Sequence, residues 1–259
     1  MTRELYEQIM AQGAAVNLST RAKWRLTGAD RVRYLNGQVT QDVRRASTTN
    51  TLYACVTDVK GRMCGDVFIH AGEEALLIDA EATLRESLGM RLERYIVADD
   101  AELTDVTNPW QLWHVFGPDL PPGIRSMRFG ITGVDLWLPA DAAYVPRHIE
   151  LSDADAESLR ILQKVPRWGH ELTNETFPPE AGLESRAMDF AKGCYIGQEV
   201  LSRIKTTGKM PRTMVSFESE TALLVGDAYE TGKVTSVTIH PLSGKSVGLA
   251  MVRPSRMME

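Results

Sequence analysis

Apolar and polar positions alternate along much of the first two-thirds of the chain. Alternation at a period of two marks half-buried strands, and recurrence every three to four residues marks a helix. Residues 52–57 and 66–70 read as two strands, with Asp58-Val59-Lys60-Gly61 as the hairpin loop between them. Residues 75–80 read as a third strand of the same sheet, and 23–26 as a short strand ending in Thr27-Gly28. Between them, residues 29–35 read as one or two helical turns with Asp30 as N-cap, stopped by the turn signal Asn36-Gly37. The N-terminal stretch places Leu5, Ile9 and Met10 near one helical face. Residues 83–95 do the same with Leu84, Leu88, Leu92 and Tyr95.

Strand-like runs return at 102–106, 111–116 and 130–138, with Pro118, Pro121 and Pro122 marking a loop. Ser152 then caps a helix over 153–164, with Asp155 three residues on and Leu159, Leu162 and Val165 as its apolar stripe. Pro166 stops it, because a proline lacks the N–H that a helix interior requires. After that the rhythm changes to short β-type runs separated by glycine, at 213–217, 232–239 and 246–252. The expected division is a body over 1–208 and a small β domain over 209–259.

A length of 259 residues accommodates one or two domains. The net charge of −5 argues against a general nucleic-acid coat, while leaving room for a local basic patch. No apolar run approaches the roughly 18 residues of a membrane span. Glu4 and Glu7 interrupt the N-terminus where a secretory signal would be apolar. Three cysteines do not make a disulfide framework, so a reducing, cytoplasmic compartment is expected. Phosphate-loop, dinucleotide, zinc-protease and C-x-x-C patterns are missing, and the five histidines have no ligand spacing.

Residues 166–203 stand apart. Within them Lys192-Gly193-Cys194-Tyr195-Ile196-Gly197-Gln198-Glu199 sets a thiol between two glycines and near a cation. Lys192 would favour the thiolate of Cys194, and a helix beginning near Gln198 would add its dipole. The alternative is a small buried cysteine in a tight turn, and these residues alone leave both open.

This octapeptide, followed by Arg203, resembles the signature of the YgfZ-type folate-binding proteins, relatives of the glycine-cleavage T-protein, an aminomethyltransferase. Other segments resemble the family in order along the chain. Asn36 to Asp42 resembles its early L-x-G-x-x-T-x-D segment, and Asp58 to Arg62 its D-x-K-G-R hairpin. Pro178 to Leu183 resembles P-x-E-A-G-L, and Gly232 to Ser236 with Gly248-Leu249-Ala250 resembles the terminal strands. The resemblance implies an α+β, T-protein-like folate-binding fold with a ferredoxin-like subdomain and a small C-terminal β-barrel, here expected to be abbreviated. It implies a tetrahydrofolate-binding protein that supports iron–sulfur cluster assembly or repair, with cluster-assembly proteins or cluster-dependent enzymes as partners. Cys194 would be the functional thiol at the mouth of the folate opening, with Lys192 and Arg203 tuning it.

On the same resemblance Glu180 is the folate acceptor, since a carboxylate can take two hydrogen bonds from an aminopyrimidine edge; the alternative is a capping or surface glutamate. Asp66 falls where the aminomethyltransferases carry an acidic pair. Here Gly65 precedes it, which counts against the alternative function, folate-dependent aminomethyl transfer. Asp66 would orient a one-carbon unit, or else be a strand-end surface acid. Tyr195 and Trp168 are candidates to stack on the pterin, or are core. Arg186 is a candidate partner for a folate carboxylate. Arg203, Lys205, Lys209 and Arg212 form a basic run suited to a polyglutamate tail or RNA, or to a solvated face. A four-residue loop at 58–61 would set Cys55 opposite Cys64, a pair that lacks the further ligands of an iron–sulfur site.

Overall fold

The structure is a computed structural model and describes residues 1–254. Helix α1 (Arg3–Gln12) leads through β1 (Ala14–Asn17) and β2 (Ala22–Thr27) to α2 (Arg31–Gln38). The hairpin strands β3 (Leu52–Thr57) and β4 (Met63–Ala71) follow, then β5 (Leu76–Ala80), α3 (Arg85–Glu93) and β6 (Glu102–Asp105). Next come β7 (Trp110–Phe116), β8 (Ile124–Ser126), β9 (Gly133–Pro139), β10 (Ile149–Glu150) and α4 (Asp153–Leu162). Short α5 (Glu184–Ala187) and α6 (Gln198–Thr207) precede the terminal strands β11 (Thr213–Ser219), β12 (Ala228–Tyr229), β13 (Gly232–Ile239) and β14 (Ser246–Val252).

The described residues form three sheets. The first is five-stranded in the order β3-β4-β5-β2-β6, and the second is five-stranded in the order β10-β1-β7-β9-β8. The terminal strands make a four-stranded sheet, β11-β14-β13-β12. The chain crosses from the second sheet to the first between β1 and β2, so residues 18–21 bridge the two.

Alternation along β4 divides the first sheet into two faces. Val67 and Ile69 turn toward Leu84, Leu88 and Leu92, and form the main core with Trp24, Leu26 and Ile78. The opposite side carries Asp66, Phe68 and His70, all buried. Helix α4 begins on the Ser152 cap, whose hydroxyl accepts the Asp155 N–H at 3.2 Å. It buries Ala156 and Leu159 against Ile9, Val16 and Phe116. Its other side receives the terminal sheet: Ser236 donates to Glu171 and accepts from Arg160, both at 2.6 Å.

Two local expectations are corrected. Helix α2 runs through Asn36-Gly37 instead of stopping there, and Asp30 makes no side-chain cap. The reason is distant in sequence: the Lys192 ammonium gathers the carbonyls of Asn36, Val39 and Gln41 at 2.6–2.7 Å and so completes the helix end. In the β3–β4 hairpin a register shift at Val56/Thr57 sets Cys55 opposite Asp66, not Cys64.

Candidate functional site

A cavity of about 440 Å³ lies between the two five-stranded sheets and is also lined by α4 and residues 165–168. Tyr53, Asp66 and Phe68 reach it from the hairpin strands, Arg21 from the bridge between sheets, Arg128 from the β8–β9 loop and Trp168 from the segment after α4. The Tyr53 and Phe68 rings lie 4.6 Å apart between centroids, tilted by 32°. The Arg128 guanidinium lies over the Phe68 ring at 4.1 Å. Arg167 joins Glu81 (3.2 Å) to Glu157 (3.1 Å), tying the first sheet to α4 beside the cavity.

Beneath it lies a buried charge network. Arg128 donates to both oxygens of Asp79 (2.9 and 2.7 Å) and to both of Asp135 (2.9 and 3.0 Å). Arg21 donates through Nε to Asp79 and through Nη1 to Glu81. Burial pushes the Asp79 carboxyl up, but Arg128 and Arg21 outweigh it and hold the group well below the usual range. Asp135 is held down in the same way, chiefly by Arg128 against its burial.

Asp66 differs. Its Oδ2 accepts the Tyr53 hydroxyl at 3.1 Å, while among the described residues Oδ1 has no hydrogen-bond partner. Burial lifts its carboxyl to about 6, with the Arg21 charge opposing in part. Asp66 is therefore a cavity acid and not a strand-end surface acid. Trp168 and Arg186 also line the cavity. Arg186 lies over the Tyr53 ring at 5.9 Å.

The other candidates lie elsewhere. Glu180 is buried but absent from the cavity wall; its carboxylate accepts the Phe177 N–H at 2.9 Å and pairs with Arg212 at 3.3 Å. The capping alternative thus describes its geometry: a glutamate at the third position of a Pro178–Ala181 turn reaches back to the turn's start. Glu180→Ala is expected to lower stability by about 1–2 kcal/mol while leaving ligand affinity unchanged, as read by urea unfolding and titration calorimetry. A large loss of affinity at unchanged stability would return Glu180 to the binding residues. Tyr195 is buried against Met188 and Leu201, with the Lys192 ammonium 5.2 Å from its ring centroid. Arg203 is exposed and pairs with Glu199 one turn away. Lys205 sits over Phe190. These contacts describe a largely solvated face with local partners.

Cys194 is exposed, whereas Cys55 is buried and Cys64 half-buried. The buried-cysteine alternative is thereby set aside for Cys194, and the thiol lies off the cavity wall. The loop around it is held tightly. Lys192 anchors one side; on the other, Thr57 donates to the Ile196 carbonyl at 2.6 Å. Gly197 sits at φ +88°, where a Cβ would come within 2.5 Å of the Asp58 carbonyl oxygen, so only glycine fits. The Lys192 ammonium is spent on its three carbonyls and packs on Tyr195. Its role in this arrangement is to fix the loop rather than to face the thiol.

Arg21, Tyr53, Phe68 and Arg128 were not singled out from sequence. The usable signal is the period of two along β4, which sets Phe68 on the same face as Asp66.

No family model matches the chain. It is 30% identical over 214 residues to the mitochondrial iron–sulfur cluster assembly factor IBA57 homolog of Pyricularia oryzae, covering 74% of this chain and 54% of that protein. It is 26% identical over 292 residues to the aminomethyltransferase of Rubrobacter xylanophilus, covering 96% of this chain and 78% of that protein. The chain spans about half the length of the assembly-factor relative. Its fold matches the crystal structure of glycine cleavage system aminomethyltransferase T from Bartonella henselae with a TM-score of 0.80 at 17% identity, over 96% of this chain and 81% of the other. The T-protein-like α+β fold, with its small C-terminal β unit, is thus present.

Proposed function

We propose that this chain, as a YgfZ-type protein, binds a tetrahydrofolate in the inter-sheet cavity and supports iron–sulfur cluster assembly or repair through Cys194. The observation that carries the folate part is the cavity itself. Its volume falls within the range of about 300–1,000 Å³ typical of small-molecule sites. Its walls include the aromatic rings of Tyr53, Phe68 and Trp168, and it contains a buried carboxylate with one oxygen left over. A pteridine brings flat faces for Tyr53, Phe68 and Trp168 and ring N–H groups for Asp66. Likeness to an iron–sulfur cluster assembly factor supports the cluster part, and the exposed thiol on a fixed loop supports Cys194 as its working group. Tetrahydrofolate would supply a one-carbon carrier; Asp66 would orient its nitrogens, and α4 with residues 165–168 would exclude water.

Titration calorimetry with 5-formyltetrahydrofolate is the test. One-to-one binding is expected, weakened roughly ten- to a hundredfold by Asp66→Asn, the range for a hydrogen bond to a charged group. Binding of a ring N–H draws on the ionised carboxylate. Affinity is therefore expected to be full above about pH 7 and to fall as the pH drops through 6, by about tenfold at pH 5. The Asp66→Asn variant should lose this pH dependence. No saturable binding at about 1 mM would end the folate reading.

Aminomethyl transfer remains a second reading because Gly65 does not weaken it as expected from sequence. A Cβ at 65 would meet Leu84 and Leu88 at 2.9 and 3.1 Å, on the face away from the cavity. The missing acid therefore removes nothing from the site. Release of ammonia from an S-aminomethyl dihydrolipoyl thiol, dependent on tetrahydrofolate and lost in Asp66→Asn, would favour the transferase.

A further inference from the structure

We propose that Ser236, on the terminal sheet, is a positioning residue for the inter-sheet cavity: its hydroxyl holds the Arg160–Glu171 pair, and that pair fixes residues 165–168 of the cavity wall. The positioning stands on the fold alone; its effect on affinity rests on the folate reading.

Strand β13 carries a bulge. Val234 pairs with Ala250 and Ser236 with Leu249, so Thr235 is the extra residue. At a period of two, Ser236 would share the face of Val234. The bulge reverses that: Val234 and Val237 pack in the core of the terminal sheet, whereas Ser236 and Thr238 reach α4. Re-aiming a side chain is what such an extra residue does. Thr238 donates to the Ser158 hydroxyl at 3.1 Å. Ser236 meets an ion pair: its Oγ donates to Glu171 Oε1 and accepts from Arg160 Nη2, and the three residues are only 1–3% exposed.

The pair holds the chain on both sides of Pro166. Arg160 Nη1 donates to the Val165 carbonyl at 3.1 Å, and Glu171 Oε2 accepts the Arg167 N–H at 3.1 Å. Arg160 Nη1 and Glu171 Oε2 also bond each other at 3.0 Å. Glu171 Oε1 takes its hydrogen bond from Ser236 alone among the described residues. A buried carboxylate oxygen without a donor is costly. Removing the Ser236 hydroxyl leaves Oε1 in that state, and a turn of the carboxylate that relieves it draws Oε2 away from the Arg167 N–H. Val165, Pro166, Arg167 and Trp168 all line the cavity. The terminal sheet thus reaches the cavity wall through Ser236, although none of its described residues lines the cavity.

The test sets Ser236→Ala against Thr238→Val on the full chain. Each removes one hydroxyl contact between the terminal sheet and α4, and only the first touches the Arg160–Glu171 pair. Amide hydrogen exchange over residues 165–172, without ligand, is expected to quicken about tenfold or more in Ser236→Ala and to keep the wild-type rate in Thr238→Val. Affinity for 5-formyltetrahydrofolate, by titration calorimetry where every variant is folded, is expected to fall about tenfold in the first and not in the second. Glu171→Gln weakens the same hold on Arg167 and should reproduce both effects; it is the variant to use if Ser236→Ala does not fold. Unchanged exchange over 165–172 in Ser236→Ala would overturn the proposal whatever the ligand. Faster exchange with unchanged affinity would also overturn it, leaving Ser236 a tie between two units and the folate reading intact. Equal effects of Thr238→Val would overturn it too, since loosening the sheet would then suffice. If the wild type binds no folate at about 1 mM, the folate reading ends, while quickening confined to 165–172 still supports the positioning.

Discussion

Arg128→Met is expected to destabilise the protein by about 3–5 kcal/mol, the cost of leaving a buried charge without its partner. Arg128 is almost wholly buried, and both its acids, Asp79 and Asp135, are fully so. Methionine matches much of the arginine's length and apolar bulk, so the loss reports charge and hydrogen bonding more than a cavity. Without Arg128, Asp135 keeps His114 at 2.8 Å and Asp79 keeps Arg21, which holds the figure within the range for a single broken pair. Urea unfolding should show a lower midpoint at an unchanged slope. Both carboxyls are depressed in the folded protein, so the stability they contribute is present above the unfolded carboxylate range and lost as the pH falls below about 4. The gap between wild type and variant should narrow over the same interval. A change below about 1 kcal/mol at neutral pH would mean that the network is not a structural support of the cavity floor.

That network also shows where sequence patterning fails. Short β-type runs located β3, β13 and β14 closely, because each is bounded by turn residues and buries apolar side chains against a core, and the Ser152 cap located the start of α4. A polar residue on an alternating strand is ordinarily read as facing water, but Asp66, His70 and Asp79 are buried against the second sheet, whose β8–β9 loop and β9 bring Arg128 and Asp135 to the network from about 50 residues or more further along the chain. Nothing local announces such pairing. Helix α2 is misjudged for a related reason: Asn36-Gly37 is a fair turn signal, overridden by a lysine some 150 residues away. Within the candidate site, Asp66, Trp168 and Arg186 line one cavity. Glu180 does not. Its position after Phe177-Pro178-Pro179 was already a capping signature, in which proline fits the first turn and glutamate the third position.

Cys194→Ala is expected to abolish the cellular role while leaving stability and folate affinity nearly unchanged. The loop that presents the thiol does not depend on it. Lys192 ties the loop to α2, the Asp189 N–H donates to Thr40 at 2.9 Å, and Ile196 is bonded to both Gly37 and Thr57. The side chain itself is exposed, so its loss should shift stability by no more than about 0.5 kcal/mol. It lies off the cavity wall, so a folate bound beside Asp66 should not register its absence. The measurement is the activity of cluster-dependent enzymes in cells whose own copy has been replaced by the variant. Lys192→Met is the informative companion. It keeps the thiol but leaves three carbonyls at the end of α2 without their cation, and should lower both stability and cellular activity. Full complementation by Cys194→Ala, with Lys192→Met defective, would mean that the segment matters as a fold element and that the thiol has no function of its own. Loss of activity in Cys194→Ala at wild-type stability would separate chemistry from structure, because among the substitutions considered it alone removes a reactive group while disturbing no packed one.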